Sequence, residues 1–386
     1  MTNTGWSLAG EYTLWKKDKN MGIKKATIVT LTILAVFVYG QKAALSSEGA
    51  ITVIDMAGRT VKVPHPARRI VCIGPGTLRL ITYLEATDKV VALESGFEKD
   101  NPAGRPYRIA HPELAKLPAI GQASSSPQPN PEAILSIKPE IIFISYVEGR
   151  MADDLEEKTG IPVIVLSYGS LATFDNDDVF NSLRLAGRIL NKTSRAEAVI
   201  QFIVDYEKDL SSRAQNIPEE KRPKVYIGGL GFRGTYGITS TEYAYLAFEL
   251  LGARNVAGVA GKRGHIFVDK EKILEWNPDI IFIDGGGMNL VKNDYKKDPE
   301  FYELLTAVHN DNVYGLFPYN YYTTNIDTAL ADAYFIGKTI YPQSFKDINP
   351  EKRADEIYAF LVGRPVYDVM KRDWDGFVRI RLNGKE

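Results

Sequence analysis

Cations and aromatic residues gather at a few places along this 386-residue chain: Phe232-Arg233 with Tyr236, Arg263 with His265, and Tyr319 with Tyr321 and Tyr322, while Tyr146 and Tyr168 stand singly after apolar runs. An arginine offers charge-assisted hydrogen bonds to an anion, and a tyrosine offers a flat apolar face with a hydroxyl at its edge. Aromatic walls with a few cations or donors are the usual composition of a small-molecule site. Bond-making chemistry has no comparable signature, because no nucleophile and base stand in a recognisable context and the serine-rich stretch 124–126 lies in a loop without one. His65, His111, His265 and His309 are scattered without ligand spacing, so no bare-metal site is expected. Cys72, the only cysteine, sits inside the apolar run Ile70–Ile73 and permits neither an internal disulfide nor a thiolate cluster. Residues 229–234, GLGFRG, satisfy the spacing of a dinucleotide fingerprint. The context fails, since the glycines run on into loop before a helix expected at Thr241–Leu251, and the next strand region, Val256–Val259, carries no terminal acid for a ribose. No cofactor is expected.

The elements that position these residues announce themselves by repetition. Residues 131–144 read PEAILSIKPEIIFI and residues 270–283 read KEKILEWNPDIIFI, an offset of 139 with eight of fourteen positions identical, including Glu132 with Glu271 and Pro139 with Pro278. Each copy has a Glu in a first helical turn, apolar residues at helical spacing, a Pro that stops the helix and then four consecutive apolar residues. A strand with no polar alternation belongs to a sheet covered on both faces, hence to a parallel sheet in an α/β layer. Two copies predict two such sheets, each with its loops at the strand C-termini.

Taken in order, residues 51–63 alternate as a hairpin, Arg69–Ile73 and Lys89–Leu93 read as strands around a helix, and 96–130 holds much Pro, Gly and Ser with little regular pattern. Between about 177 and 215 the pattern is helical throughout, with 194–215 one helix of about 33 Å, the length of a domain. Such a helix acts as a stiff spine and not as a flexible linker. The second lobe restarts at Lys224–Ile227 and continues through a strand near Val313–Gly315, a helix Ile326–Ile340 and a helical tail at 350–372. The organisation expected is therefore α/β, two Rossmann-like lobes with central parallel sheets joined by a single long spanning helix: 1–48 an N-terminal extension and signal, 49–176 the first lobe, 177–215 the spanning region, 216–386 the second lobe.

With 47 basic and 48 acidic residues the formal charge is −1, which gives no electrostatic case for nucleic acid. Met21–Ala44 has the order of a secretory signal: Lys24-Lys25, the apolar run Ala26–Tyr39, then small residues. That places the protein outside the cytoplasm. Cleavage and retention as an anchor both stay open, as do Met1 and Met21 as the start; no cysteine stands near the cleavage zone to make a lipoprotein.

The signal segment, the repeated units, the spanning helix and the phrases RIVCIGPG, PEAILSIKPEIIFI and NPDIIFIDGG resemble the periplasmic binding proteins of iron-siderophore, haem and cobalamin ABC importers over about residues 50–345. The resemblance implies a monomer that captures an iron chelate or corrinoid between its lobes and delivers it to a membrane permease and its ATPase. An oxyanion such as molybdate, taken up by some relatives of that family, is the alternative ligand. It also implies that Glu132 and Glu271 dock the permease. The chain departs from the family where many members carry Thr-Glu, since Leu78-Arg79 stand there. Arg79 either faces the cleft, where it favours an anion, or lies on the solvated helix face. From a different class, the alternative is an α/β enzyme on the same repeated units; its nitrogenase-like version would need cluster-ligand cysteines that this chain lacks.

Overall fold

A computed structural model describes residues 49–95, 104–124, 126–169 and 176–382. The expected signal Met21–Ala44, Ser125 and part of the irregular stretch 96–130 lie outside the described residues. Strands β1 (Gly49–Ile54) and β2 (Thr60–His65) pair antiparallel as the expected hairpin. The first lobe is then built on β3 (Ile70–Ile73), β4 (Val90–Ser95), β5 (Ala119–Gln122), β6 (Gln128–Pro129), β7 (Ile141–Ser145) and β8 (Val163–Leu166). They lie in the order β6-β5-β4-β3-β7-β8, all parallel except β6. Strands β5 and β6 correct the expectation of little regular structure there. They form because β4 offers an open edge, a long-range partner that local composition does not reveal.

The second lobe uses β9 (Lys224–Gly228), β10 (Ser240–Glu242), β11 (Arg254–Asn255), β12 (His265–Phe267), β13 (Ile280–Asp284), β14 (Val313–Leu316) and β15 (Val378–Arg379). Its sheet runs β11-β9-β13-β14-β15, parallel but for β15, and β10 with β12 make a separate two-stranded ribbon. The helix expected at Thr241–Leu251 shrinks to Leu246–Leu250, because Ser240–Glu242 instead pairs with His265–Phe267. The strand expected at 256–259 is the two-residue β11 just before it.

Both repeat copies fold alike. Pro131–Ile137 and Lys270–Trp276 are helices whose N-caps, Asn130 and Asp269, accept from the amides of Ala133 at 3.1 Å and Lys272 at 2.8 Å. Each stops one residue before its Pro in a left-handed cap, Lys138 at φ 53° and Asn277 at φ 39°, without glycine. The buried Ile134 and Ile273 anchor them to strands β7 and β13, where Phe143 and Phe282 are fully buried.

The helix Thr193–Ala214 runs for 22 residues, about 33 Å, packed on a preceding helix Asn176–Ile189. Near its start Arg195 donates to the carbonyl of Tyr83 in the first lobe at 2.9 Å. Near its end Arg213 pairs with Asp347 at 2.8 Å. The helix Ile326–Ile340, buried almost throughout, meets the first lobe where the Tyr83 hydroxyl donates to Asp327 at 3.0 Å.

Candidate functional site

In each sheet the strand order reverses once. Chain leaving β3 turns toward β4 while chain leaving β7 turns toward β8, and β9 and β13 diverge in the same way toward β11 and β14. Crevices open outside the strand ends at such points. Here the loops after β3, β9, β13 and β14 close a cavity of about 290 Å³ lined by Pro75, residues 231–235, Asp284, Gly286, Pro318 and residues 320–323. Pro75 belongs to the first lobe and the rest to the second, so the cavity sits at their junction.

The fingerprint-like loop 229–234 forms one wall. It leads to strand β10 and not to a helix, so the glycines present no helix start to a pyrophosphate. It is also tied down: Gly229 donates to Gly237 and Phe232 to Gly234 through their backbone amides, at 3.0 and 3.1 Å. Exposed Arg233, left-handed at φ 54°, stands at the cavity mouth with its guanidinium 5.8 Å from the Phe232 ring.

Opposite lies the start of the helix Gly285–Lys297, whose first turn carries a partial positive charge. Gly287 permits this approach, since a Cβ there would be driven into the carbonyl oxygens of Gly229 and Tyr236. Asp284, the last residue of β13, caps the turn by accepting from Gly286 at 2.8 Å. The 139-residue offset pairs it with Ser145, the buried last residue of β7.

The third wall is residues 320–323. Tyr321 and Tyr322 line the cavity, with the Arg105 guanidinium about 5 Å from both rings (5.2 and 5.1 Å). Asn320 donates to the carbonyl of Gly231 at 2.9 Å and so joins two walls.

Of the residues singled out from sequence, Arg233, Tyr321 and Tyr322 line this cavity. Tyr236 and His265 stand one layer behind: His265 stacks on Phe232 at 4.5 Å and its Nε2 meets Ser240 Oγ at 2.7 Å, while Tyr236 packs edge-on to Phe267. Tyr146 is half-buried and its hydroxyl pairs with Thr323 Oγ1 at 2.7 Å. Tyr168 is fully buried, with its hydroxyl on the Gly76 carbonyl, and Tyr319 is buried with its hydroxyl on Glu242 at 2.8 Å; both correct the expectation of ligand contact, because apolar packing claims the rings. Arg263 is 72 % exposed, pairs with Glu249 and borders a different hollow, around Tyr243 and Arg254. Arg79 lies on neither a solvated face nor the cavity wall: it is fully buried, and its guanidinium is engaged by backbone carbonyls of residues 321–324. Glu132 and Glu271 are exposed in the first turns of their helices.

Sequence reasoning missed Asp284 and Asn320, and with them Glu94, a buried residue of β4 that accepts from the Tyr322 hydroxyl at 2.9 Å behind the cavity wall. Asp284 was open to discovery, since an acid ends the second repeat where a serine ends the first. Burial pushes Glu94 up to about 7, Asp284 up to about 7 and Glu242 up to about 8, from ordinary values of 4.5, 3.8 and 4.5. Between the ordinary and the raised values the folded state therefore binds more protons than the unfolded chain, and stability falls as pH rises through that window. The melting temperature is expected to be higher near pH 5 than near pH 8.5, with Glu242→Gln removing part of the slope. A melting temperature that climbs with pH over this range would refute the assignment.

Among the described residues no three His, Cys, Asp or Glu side chains converge as a metal site, and no helix is long and apolar enough to cross a membrane. A family profile described as periplasmic binding protein matches residues 70–319. The chain is 26% identical over 325 residues to the molybdate-binding protein MolA of Haemophilus influenzae, covering 79% of this chain and 89% of the relative. The solved structure of that protein bound to molybdate superposes with a TM-score of 0.65 at 23% identity, over 82% of this chain and 98% of the other. A periplasmic solute-binding protein from Veillonella parvula does so with a TM-score of 0.64 at 23% identity, over 84% and 97%. At that identity the two superpositions establish the shared fold.

Proposed function

The chain belongs to the periplasmic binding protein family, and from that premise we propose that it is the extracytoplasmic solute-binding component of an ABC importer whose ligand is a compact oxyanion of the molybdate class. The observation that carries this reading is the junction cavity: about 290 Å³, at the low end of small-molecule sites, with Arg233 at its mouth and the first turn of Gly285–Lys297 in its wall. A tetrahedral oxyanion suits such a space, taking charge-assisted hydrogen bonds from the guanidinium and lying at the positive end of the helix. Haem and corrinoids match it less well, because their macrocycles need a longer slot. Binding of molybdate by the Haemophilus relative supports the same ligand class. A compact iron chelate is the second reading, favoured by the aromatic wall of Phe232, Tyr321 and Tyr322.

In this proposal the protein is exported on Met21–Ala44, acts as a monomer and binds its ligand without transforming it. The loaded form presents Glu132 on one lobe and Glu271 on the other to basic residues of the permease. Calorimetric titration with molybdate, tungstate, sulfate, a ferric siderophore, haem and cobalamin tests the ligand class. Saturable heat with molybdate or tungstate and none with haem or cobalamin is the expected result; saturation by haem or cobalamin alone would overturn it.

A further inference from the structure

The wall at residues 320–323 does not hold its own shape. Tyr322 and Thr323 follow each other in the left-handed region, at φ 59° and 63°, with no glycine between them. That conformation is unfavourable for any side chain and more so for a β-branched threonine, so it persists only where surroundings over-determine it. It turns successive carbonyls of the second lobe toward one point in the first. There the Arg79 Nη1 donates to the carbonyl of Thr324 at 2.7 Å, and Nη2 lies 3.3, 3.2 and 3.3 Å from those of Tyr321, Tyr322 and Thr323. Arg79 is fully buried between the rings of Tyr107 and Tyr168, 5.1 and 5.9 Å from their centres, so it has little freedom to look elsewhere. The first lobe also leaves room for the segment: a Cβ at Gly76 would strike both Tyr168 and the Thr323 methyl.

We propose that Arg79 is the positioning residue of the ligand wall: alongside the hydroxyl contacts Tyr146–Thr323 and Tyr322–Glu94, it reaches from the first lobe to hold the carbonyls of the strained Tyr321–Thr324 segment of the second, so that the wall keeps its shape only while the lobes are joined there. The idea rests on the junction cavity being the ligand site. It turns the departure at Leu78-Arg79 into a device coupling lobe contact to pocket formation. Separating the lobes withdraws the guanidinium, the segment relaxes, and Tyr321 and Tyr322 leave the wall. A rigid fork of donors suits four convergent carbonyls, whereas a lysine ammonium, a point charge on a different reach, satisfies fewer.

Hydrogen exchange of the ligand-free chain, followed by peptide mass spectrometry, tests this in wild type, Arg79→Met and Arg79→Lys. Peptides covering 319–325 are expected to exchange roughly tenfold faster or more in Arg79→Met and to an intermediate degree in Arg79→Lys, with β3 and the helix Ile326–Ile340 unchanged. Molybdate affinity is expected to fall by roughly tenfold in Arg79→Met, because the competent wall is no longer preformed. Unchanged exchange at 319–325 would overturn the proposal, and so would uniform acceleration, which marks a residue of general stability. Should Arg79→Met fail to fold, Arg79→Lys decides by the same pattern. If wild type takes up no molybdate, the oxyanion reading falls and the exchange pattern alone decides the role of Arg79.

Discussion

Glu132→Lys and Glu271→Lys, singly, are expected to abolish uptake in cells while the purified proteins bind ligand as tightly as wild type. Both acids are exposed, both open seven-residue helices, and both lie at equivalent places in the two repeat copies. Neither lines the junction cavity. Within the fold each acid does no more than favour its helix start, worth at most about 1 kcal/mol, so reversal should cost little stability. Against a basic partner surface the same change removes one charge pair and creates a repulsion. Loss of a desolvated interfacial charge partner costs roughly 2–5 kcal/mol, which is about 30-fold or more in docking. Uptake in a strain lacking the native protein, set beside calorimetric affinity, measures the two quantities separately. Parallel loss of affinity and uptake would show that these acids act on the ligand and not on the permease.

Arg233→Ala is expected to have the largest effect on binding itself. Among the described residues lining the cavity Arg233 is the only lysine or arginine, and it is exposed at the mouth. Hydrogen bonds to a charged group contribute roughly 1.5–3 kcal/mol, so an anionic ligand should bind about 10- to 150-fold more weakly to the variant. Neutral ligands should lose far less. Salt should reduce the difference between the two proteins, since a mouth-level charge is partly screened. Calorimetry of both proteins with molybdate at low and high ionic strength reads the effect, and equal affinities would remove Arg233 from the site.

What could be read from the sequence follows the range of the interactions involved. The two repeat copies located β7 and β13, while the strand order around them, and so the points at which the sheets reverse, is seen only in the structure. The helix Ile326–Ile340, buried almost throughout, was legible to the residue, because an uninterrupted 15-residue run without proline is a local signal of helix. Strands β5, β10 and β12 were not, since each is short and depends on a partner supplied from elsewhere. The candidate site divides in the same way. Arg233, Tyr321 and Tyr322 follow strand ends and were found, whereas Tyr319 and Tyr168 follow strand ends too and are buried. Alternation within a loop does not tell which ring faces inward when the loop adopts left-handed turns at non-glycine residues. Arg79 was identified as an unusual cation, but its partners are backbone carbonyls up to 245 positions away, and carbonyls carry no sequence signature.

Anomalous diffraction at the molybdenum edge, from crystals of the chain grown with molybdate, tests most directly that a compact oxyanion occupies the junction of the lobes. The expected result is one strong peak inside the cavity bounded by Arg233, Gly286 and Tyr321, with the Arg233 guanidinium turned toward it and the segment 320–323 in its left-handed form. A peak confined to the hollow beside Arg263 and Arg254, or a cavity that stays free of molybdenum while the protein binds molybdate in solution, would contradict it.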